Sequence, residues 1–335
     1  MKKHASLLTV FLAVSLALGL ANVEARAASN CKLVLIDEWP VKVERNKLLV
    51  DGEINGEKIK VILDTGFTAS MVPRSFATRL GLPRERTRRL AQGVGETLSY
   101  VDIVYVRELK IHKSRRTDYR AYMAGERDLG ANIGFVLGED FLAQFDVEFD
   151  LSHNALRLFQ TKDCRNESLA YWASDQASVL PIDKVSDFVP QISLTIEVNG
   201  RPIRAQLDSG AANSVLAKSA AALVGVTPET PGVVNIGKLV GIGRDAIDVW
   251  MAPVESIVIG NEKISDTTIL FADLYDTAWP NRHPMLLGVD FLLSHRVLVA
   301  HSQRQIYFTY AGGPVFQRIA VPGLPSASGG RSADR

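Results

Sequence analysis

The sequence has little that would support metal, thiol or nucleic-acid chemistry. It holds two cysteines and six histidines in 335 residues, and no HExxH motif occurs among the histidines. The formal net charge of +1 provides no field that would steer the chain to nucleic acid or to an anionic membrane. The arginine-rich stretch at residues 84–89 (RERTRR) has no interleaved aromatic residues and is interpreted as a solvated loop. We therefore expect no metal, no cofactor and no nucleic-acid partner.

Long apolar runs are also missing, with one exception near the amino terminus. Lys2 and Lys3 precede an apolar run over about residues 5–21, and the sequence ARA follows at residues 25–27. A basic start, an apolar run and a small-x-small site are the pattern of an export signal. We predict a signal peptide over residues 1–27 and a periplasmic or secreted chain without stable membrane insertion. The alternative is an uncleaved anchor, because a spanning helix needs roughly 17–25 residues.

The two cysteines, Cys31 and Cys164, favour a disulfide in the oxidising compartment to which an export signal leads. Two lone thiolates are too few ligands for a structural metal site. We therefore predict a disulfide between them.

Much of the remaining chain consists of two copies of one sequence pattern, an internal repeat. The sequence LLVDGEING at residues 48–56 matches ISLTIEVNG at residues 192–200, and both end in Asn-Gly, the strongest short signal of a hairpin. A return strand follows in each copy and ends in an acid, within VILDTGFTAS at residues 61–70 and AQLDSGAANS at residues 205–214. The same strand, turn and strand therefore deliver an acid twice, 144 residues apart.

Each copy continues in the same order after its acid. The shared features are a short helical segment, a glycine pair in a polar loop and an apolar run that ends in glycine. They lie at residues 73–82, 93–95 and 135–142 in the first copy and at residues 216–226, 241–243 and 285–292 in the second. We predict two lobes, with a linker and a tail rich in glycine, proline and serine that is disordered. The predicted bounds are 40–160 for the first lobe, 161–185 for the linker, 186–310 for the second lobe and 311–335 for the tail.

The repeated acids, Asp64 and Asp208, are the candidate catalytic residues. Two strand-rich copies suggest two β-lobes related by a pseudo-twofold axis, and matching residues of such lobes meet at the axis. Two carboxylates there can share one proton, because like charges so close cannot both ionise readily. One can then activate a water molecule as general base while the other, protonated, polarises a carbonyl group.

The residues next to each acid have their own physical reasons. Gly66 and Gly210 let the backbone turn steeply beneath the carboxylates. The hydroxyl groups of Thr65 and Ser209 can donate and accept, so they can bond across the lobe junction and fix the two acids in register.

These motifs resemble the retropepsin-like, or clan AA, aspartic proteases. The shared pattern is an apolar residue before Asp-[Thr/Ser]-Gly, a serine six residues after the acid, a short helix, a glycine-tipped flap and a closing apolar-apolar-Gly-x-Asp-Phe-Leu. One Asp-[Thr/Ser]-Gly triplet is a weak signal, whereas two copies with their full flanking pattern form a strong one. The resemblance covers nearly all of the chain after the predicted signal.

The resemblance implies an all-β fold of two barrel lobes, each with a short helix, and one active site in a monomer. It implies an endopeptidase that binds a protein or peptide substrate as an extended strand under flap hairpins. The residues implied for the flaps and for substrate binding are Gly93, Val94, Gly95, Gly241, Ile242, Gly243, Phe67 and Ala211.

Phe67 departs from the family pattern, which usually has alanine or serine at this position, as the second copy has with Ala211. The ring either intrudes on a substrate subsite and narrows specificity to small side chains, or packs away into its lobe.

Two alternatives stay open at the level of the sequence. One is a non-catalytic peptide-binding module of the same fold, and the other is a homodimer in which like lobes pair between chains. The repeated Asp140 and Asp290 are interpreted as turn or capping acids, and His301 as a packing or surface residue.

Overall fold

The computed structural model describes residues 30–91, 93–94, 99–125, 127–130, 132–165, 167–173, 176–184, 191–241, 246–274 and 283–316. The predicted signal peptide lies outside these residues, as does the predicted tail beyond residue 316. Among the described helices, none has the length and hydrophobicity needed to cross a membrane. Phe316 is buried in the main core, so the core extends six residues into the segment predicted as tail.

The described residues form mostly strands, with short helices between them. In the first half the strands are β1 (Lys32–Pro40), β2 (Lys42–Glu44), β3 (Lys47–Ile54), β4 (Glu57–Leu63), β5 (Met71–Pro73), β6 (Arg84–Ala91), β7 (Ser99–Ile111), β8 (Ser114–Ala124), β9 (Ile133–Leu137), β10 (Asp146–Asp150) and β11 (Ala155–Lys162). In the second half they are β12 (Ser178–Pro181), β13 (Ser193–Val198), β14 (Arg201–Leu207), β15 (Val215–Ala217), β16 (Val234–Val240), β17 (Ala246–Ile259), β18 (Glu262–Ala272), β19 (Met285–Leu287), β20 (His295–Ala300) and β21 (Gln305–Tyr310). The α-helices are α1 (Arg74–Arg79), α2 (Glu139–Leu142), α3 (Lys218–Leu223) and α4 (Val289–Ser294).

Each half closes a six-stranded barrel, and the two barrels have the same strand order. The first runs β3-β4-β9-β5-β8-β7 and closes by pairing β7 with β3. The second runs β13-β14-β19-β15-β18-β17 and closes by pairing β17 with β13. In both barrels the strand that leads into the acid lies parallel to the strand of the closing apolar run. The predicted all-β fold with two barrel lobes is confirmed.

The Asn-Gly pairs form the turns that the repeat predicts. Asn55 and Gly56 have φ angles of 52° and 88°, and Asn199 and Gly200 have φ angles of 49° and 71°. Positive φ at both central positions matches the right-handed twist of the flanking strands, and asparagine and glycine tolerate it best. The turns fix the register of β3 with β4 and of β13 with β14, and so fix where each acid emerges.

A third sheet joins the two halves. Its order is β1-β11-β10-β20-β21-β12, with three strands from each half. The halves meet where β10 pairs with β20, and Phe149 and Val297 at this junction are completely buried. The apolar core is continuous from each barrel into this sheet. Because the sheet is shared, it fixes one barrel relative to the other.

The arginine-rich stretch at residues 84–89 was expected to be a loop, and this expectation is wrong. These residues belong to β6, an edge strand that pairs with β7 around an irregularity in register. Nearly all of its side chains are exposed, as the solvated interpretation requires. Exposure on both faces removes the apolar alternation by which a strand is recognised in a sequence.

The predicted disulfide is confirmed. The sulfur atoms of Cys31 and Cys164 are 2.05 Å apart, and the bond closes a sequence separation of 133 residues. Cys31 directly precedes β1 and Cys164 follows β11, and these two antiparallel strands pair from Lys32 opposite Lys162 onward. The disulfide therefore ties the start of the edge strand β1 to the joining sheet.

Candidate active site

The two repeated acids lie at the ends of matching barrel strands. Asp64 follows β4 and its backbone N–H donates to the carbonyl oxygen of Leu137 at 2.9 Å. Asp208 follows β14 and its N–H donates to the carbonyl oxygen of Leu287 at the same distance, 2.9 Å. Each carboxyl group lies against the glycine of the opposite acid loop, and the charge of Asp208 acts on Asp64. The structure thus brings the two acids together at the junction of the lobes.

Both carboxyl groups are buried and accept backbone N–H bonds from their own loops. Burial raises the pKa of both above the usual range, and the charge of Asp208 raises the pKa of Asp64 further. The carboxylate of Asp208 accepts backbone N–H bonds from Gly210 at 2.9 Å and from Ala211 at 3.0 Å. The carboxylate of Asp64 likewise accepts the backbone N–H of Gly66 at 3.0 Å. These donors stabilise the charged form of each acid against burial, and the titration belongs to the pair.

The two hydroxyl residues cross between the lobes. The backbone N–H of Thr65 donates to the hydroxyl oxygen of Ser209 at 3.0 Å, and the N–H of Ser209 donates to the hydroxyl oxygen of Thr65 at 2.9 Å. Each hydroxyl then donates onward, that of Thr65 to the carbonyl oxygen of Leu207 at 2.8 Å and that of Ser209 to the carbonyl oxygen of Leu63 at 3.0 Å. Both residues are fully buried. Four hydrogen bonds therefore fix the acids in register, as the sequence predicts.

The glycine after each hydroxyl residue lies against the opposite acid. A Cβ atom at Gly66 would collide with the carboxyl group of Asp208, and one at Gly210 would collide with that of Asp64. The requirement for glycine is therefore a close approach between the halves, in addition to the steep turn that the sequence indicates.

We predict that Gly210→Ala lowers kcat by about 100-fold, because a methyl group would displace the Asp64 carboxyl group and misplacement of about 1 Å has an effect of this size. The check is the rate of peptide hydrolysis per folded molecule. Gly225→Ala is the control, since it places a Cβ at a positive φ of 82° with no atom within 4 Å. That control is expected to lose stability and keep its rate. Equal rates for Gly210→Ala and the parent would contradict the prediction.

A second layer of hydrogen bonds supports each acid loop. The hydroxyl group of Ser70 donates to the Asp140 carboxylate at 2.6 Å and accepts the N–H of Gly138 at 3.0 Å. The second half repeats this arrangement, with Ser214 donating to Asp290 at 2.6 Å. Burial raises the pKa of Asp290 to about 6. Asp140 and Asp290 were interpreted as turn or capping residues. The structure shows that each accepts a hydrogen bond from the serine six residues after the acid of its own lobe. The repeat of both serine and acid in the sequence could have indicated this pairing.

The two glycine-bearing loops predicted as flaps are described in part. Gly93, Val94 and Gly241 lie within the described residues, whereas Gly95, Ile242 and Gly243 lie outside them. A Cβ atom at Gly241 would collide with the backbone of Val94. The two loops therefore touch, and this contact spans the two lobes.

An apolar cluster packs against each acid loop. In the second lobe, Val94 from the opposite loop packs on the cluster that includes Val215, Met251, Leu286 and the partly buried Ala211. In the first lobe the ring of Phe67 packs on the matching cluster. Of the two expectations for this ring, packing into its own lobe is the one the structure supports.

Comparison with known proteins gives a family match over most of both repeats. A family model described as aspartyl protease matches residues 50–141 and 194–291. DNA damage-inducible protein 1 of Eremothecium gossypii is 28% identical over 116 residues, which are 34% of this chain and 23% of that protein. Protein DNA-DAMAGE INDUCIBLE 1 of Arabidopsis thaliana is 30% identical over 134 residues, 36% of this chain and 31% of that protein. The chain therefore spans less than a third of the length of these relatives.

Among solved structures, a retropepsin-like aspartic protease from Rickettsia conorii is similar at 16% sequence identity. The match covers 39% of this chain and 93% of that one, with a TM-score of 0.27.

Proposed function

The chain belongs to the aspartyl protease family, and from this premise we propose that it is an aspartic endopeptidase with Asp64 and Asp208 as its catalytic dyad. The observation that carries the proposal is reciprocal contact between the repeats. Each acid lies against the glycine of the opposite Asp-[Thr/Ser]-Gly triplet. One chain therefore supplies both halves of a single proton-sharing site.

In the proposed reaction the two acids have different roles. Asp208 accepts a proton from a water molecule held between the carboxyl groups, while Asp64 donates its proton to the oxygen of the scissile carbonyl group. The water oxygen bonds to the carbonyl carbon and gives a tetrahedral diol. One hydroxyl group of the diol then returns a proton to Asp64, while Asp208 donates its proton to the leaving amine. The carbon–nitrogen bond breaks, and the dyad regains one shared proton.

The substrate in this proposal is a protein or peptide bound as an extended strand beneath the two glycine-bearing loops. The two loops touch where Gly241 lies against Val94, and in this proposal that contact covers the acids. Opening of this contact is therefore a step that precedes substrate entry, and closing it again excludes water from the reaction.

We propose that the enzyme acts as a monomer outside the cytoplasm. The hydrogen bonds between Thr65 and Ser209 form within one chain, and pairing of like lobes between chains would require them to break. The disulfide is compatible with an oxidising compartment, in line with the export signal expected over residues 1–27.

We predict that Phe67→Ala widens specificity on one side of the scissile bond. Removing the ring exposes the apolar cluster of the first lobe, so cleavage of peptides with a bulky apolar residue on that side should rise by about tenfold in kcat/KM. The measurement is the cleavage profile of a peptide library. Ala211→Phe is the matched variant, since it places a ring at the equivalent position of the second lobe and should narrow the opposite side. Profiles identical to that of the parent in both variants would contradict the prediction.

A further inference from the structure

A cavity lined by arginines lies on the hairpin of β6 and β7, and the mechanism above does not use it. Its volume is about 580 Å³, and the residues that line it are Arg74, Arg86, Thr87, Arg88, Tyr100 and Asp102. Arg74 is the first residue of α1, and the other five belong to β6 and β7. The same hairpin carries the loop of Gly93 and Val94, so the arginine cavity lies on the element proposed to cover the substrate.

The cavity lies at a bulge in β6. Between the paired residues Glu85 and Arg89, the three residues 86–88 lie opposite one residue of β7, Asp102. The hydroxyl group of Thr87 fixes this bulge, because it donates to a carbonyl oxygen of β7 and accepts the N–H of Arg89 at 3.0 Å. Thr87 and its two neighbours therefore line the cavity from a fixed piece of backbone.

The second lobe places a tryptophan where the first lobe has the acid of this cavity. Trp250 of β17 occupies the same position in its hairpin as Asp102 in β7. Its ring stacks on Phe271 with centroids 5.5 Å apart, and the Nζ atom of Lys218, the first residue of α3, lies 5.0 Å from the ring centroid of Trp250. In the first lobe, Arg74 and Asp102 form an ion pair instead. The fold itself therefore does not require charged groups at this position.

The charges that line the cavity do not balance among the described residues. Nη1 of Arg74 lies 3.3 Å from Oδ2 of Asp102, so the one acid of the cavity is already paired. Arg86 and Arg88 are exposed, and no described residue forms an ion pair or a hydrogen bond with either of them. The neighbouring acid Glu85 accepts a hydrogen bond from a tyrosine of β7 at 2.6 Å. Two guanidinium groups are therefore in excess.

The position of these two groups favours a polypeptide with acidic side chains as the occupant. Guanidinium groups bind carboxylates through planar and often bidentate hydrogen bonds. Among the described strands, β6 is the edge of its sheet and pairs with β7 alone. Its outer backbone groups are thus open to an extended chain, which adds to an exposed sheet edge by main-chain hydrogen bonds.

We propose that the arginine cavity binds carboxylate groups of an acidic segment of the substrate, outside the cleft that holds the scissile bond. Ala91 ends β6 and packs on the same apolar cluster as Phe67, in the loop of Asp64. Arg88 lies three residues before Ala91, about 10 Å along the strand, and an extended substrate covers this distance in about three residues. The inference rests on the proposed function and specifies its substrate class, which is polypeptides with glutamate or aspartate a few residues from the cleaved bond.

The test compares a cleavable peptide extended by three glutamates with the same peptide extended by three glutamines. For the parent, KM should be about tenfold lower with the glutamates, the sum of two exposed ion pairs worth about threefold each. The value of kcat should not change, because contacts away from the reacting groups stabilise the bound substrate and the transition state equally. The double variant Arg86→Gln/Arg88→Gln should lose this preference, as should the parent at high salt.

Lys238→Gln/Lys263→Gln is the matched control. It removes the same net charge from exposed positions of the second lobe, and Lys238 lies in β16, the strand that matches β6. This control should keep the preference of the parent. A preference that the control loses as well would show a general charge effect and overturn the inference. If the parent hydrolyses both peptides with equal KM, the inference is wrong and the proposed function stands.

A parent that hydrolyses neither peptide would end the proposed function, and the cavity is then tested by binding alone. The measurement is the fluorescence anisotropy of the labelled glutamate peptide with the parent and with Arg86→Gln/Arg88→Gln. A Kd about tenfold weaker in the variant would support a site for acidic segments in a non-catalytic chain. Equal Kd values would overturn the inference, and so would complete displacement of the peptide by inorganic phosphate but not by chloride at the same ionic strength, since the site would then be one for small anions.

Discussion

Replacing either Asp64 or Asp208 by asparagine should lower peptide hydrolysis by about 1,000-fold or more while the chain remains folded. Asparagine has the shape of aspartate but can neither accept a proton as general base nor donate one as a carboxylic acid, and positioned acid–base groups contribute roughly 100- to 10,000-fold. In the proposed mechanism the two acids act on one water molecule, so each single variant should lose nearly all of the activity. The measurement is kcat/KM on a peptide that the parent cleaves, with circular dichroism to confirm folding.

Asp140→Asn is the matched control for these variants. It makes the same chemical change one loop away, and its side-chain oxygen can still accept the bonds from the N–H and hydroxyl groups of Ser70, now 2.8 and 2.6 Å long. Its activity should stay within about tenfold of the parent, because a neutral acceptor weakens these hydrogen bonds without removing them.

The variants Asp64→Asn and Asp208→Asn also distinguish between the alternative interpretations of the repeat. In a homodimer that pairs like lobes, Asp64→Asn would leave an intact site made of two Asp208 residues, and each single variant would retain activity. In a site made within one chain, both variants are inactive and mixing them restores nothing. A parent without turnover that binds peptides would instead indicate a non-catalytic module.

The residues nearest the dyad could be predicted from the sequence because the repeat fixes their positions twice. The Asn-Gly turns set the register of the strands before Asp64 and Asp208, so the chain that follows each acid must occupy matching places. Thr65 and Ser209 then had to face each other across the pseudo-twofold axis, and the structure shows their hydrogen bonds.

Contacts without a counterpart in the repeat could not be predicted in the same way. Val94 packs on the opposite lobe, and Glu139 faces His301, 162 residues further along the chain. Alternation and turn signals report which face of a strand is buried, but they do not report which distant strand will cover it. Glu139 is a charged residue where the second closing motif has the apolar Val289, so this departure was visible in the sequence while its partner was not.

Loss of the disulfide should have the largest effect on stability. The double variant Cys31→Ser/Cys164→Ser should lower the free energy of unfolding by about 5 kcal/mol, the chain-entropy value for a loop of this length. The closed loop of 133 residues contains the whole first barrel. The bond also holds the start of β1, an edge strand that pairs on one side only and whose other end is anchored by the completely buried Trp39.

Urea unfolding of the oxidised parent, the reduced parent and the double variant measures this effect. The last two should unfold at the same lower urea concentration. Cys31→Ala/Cys164→Ala is the control for the hydroxyl group that serine would bury at position 164, where the cysteine is 5% exposed. The reduced parent and the two double variants could each lose less than about 1 kcal/mol of unfolding free energy. That result would show that other contacts keep the loop closed without the disulfide, and that the pairing of β1 with β11 suffices. A loss near about 5 kcal/mol would instead show that the fold depends on the disulfide. The position of the first barrel on the joining sheet, and with it the meeting of Asp64 and Asp208, would then require an oxidising compartment.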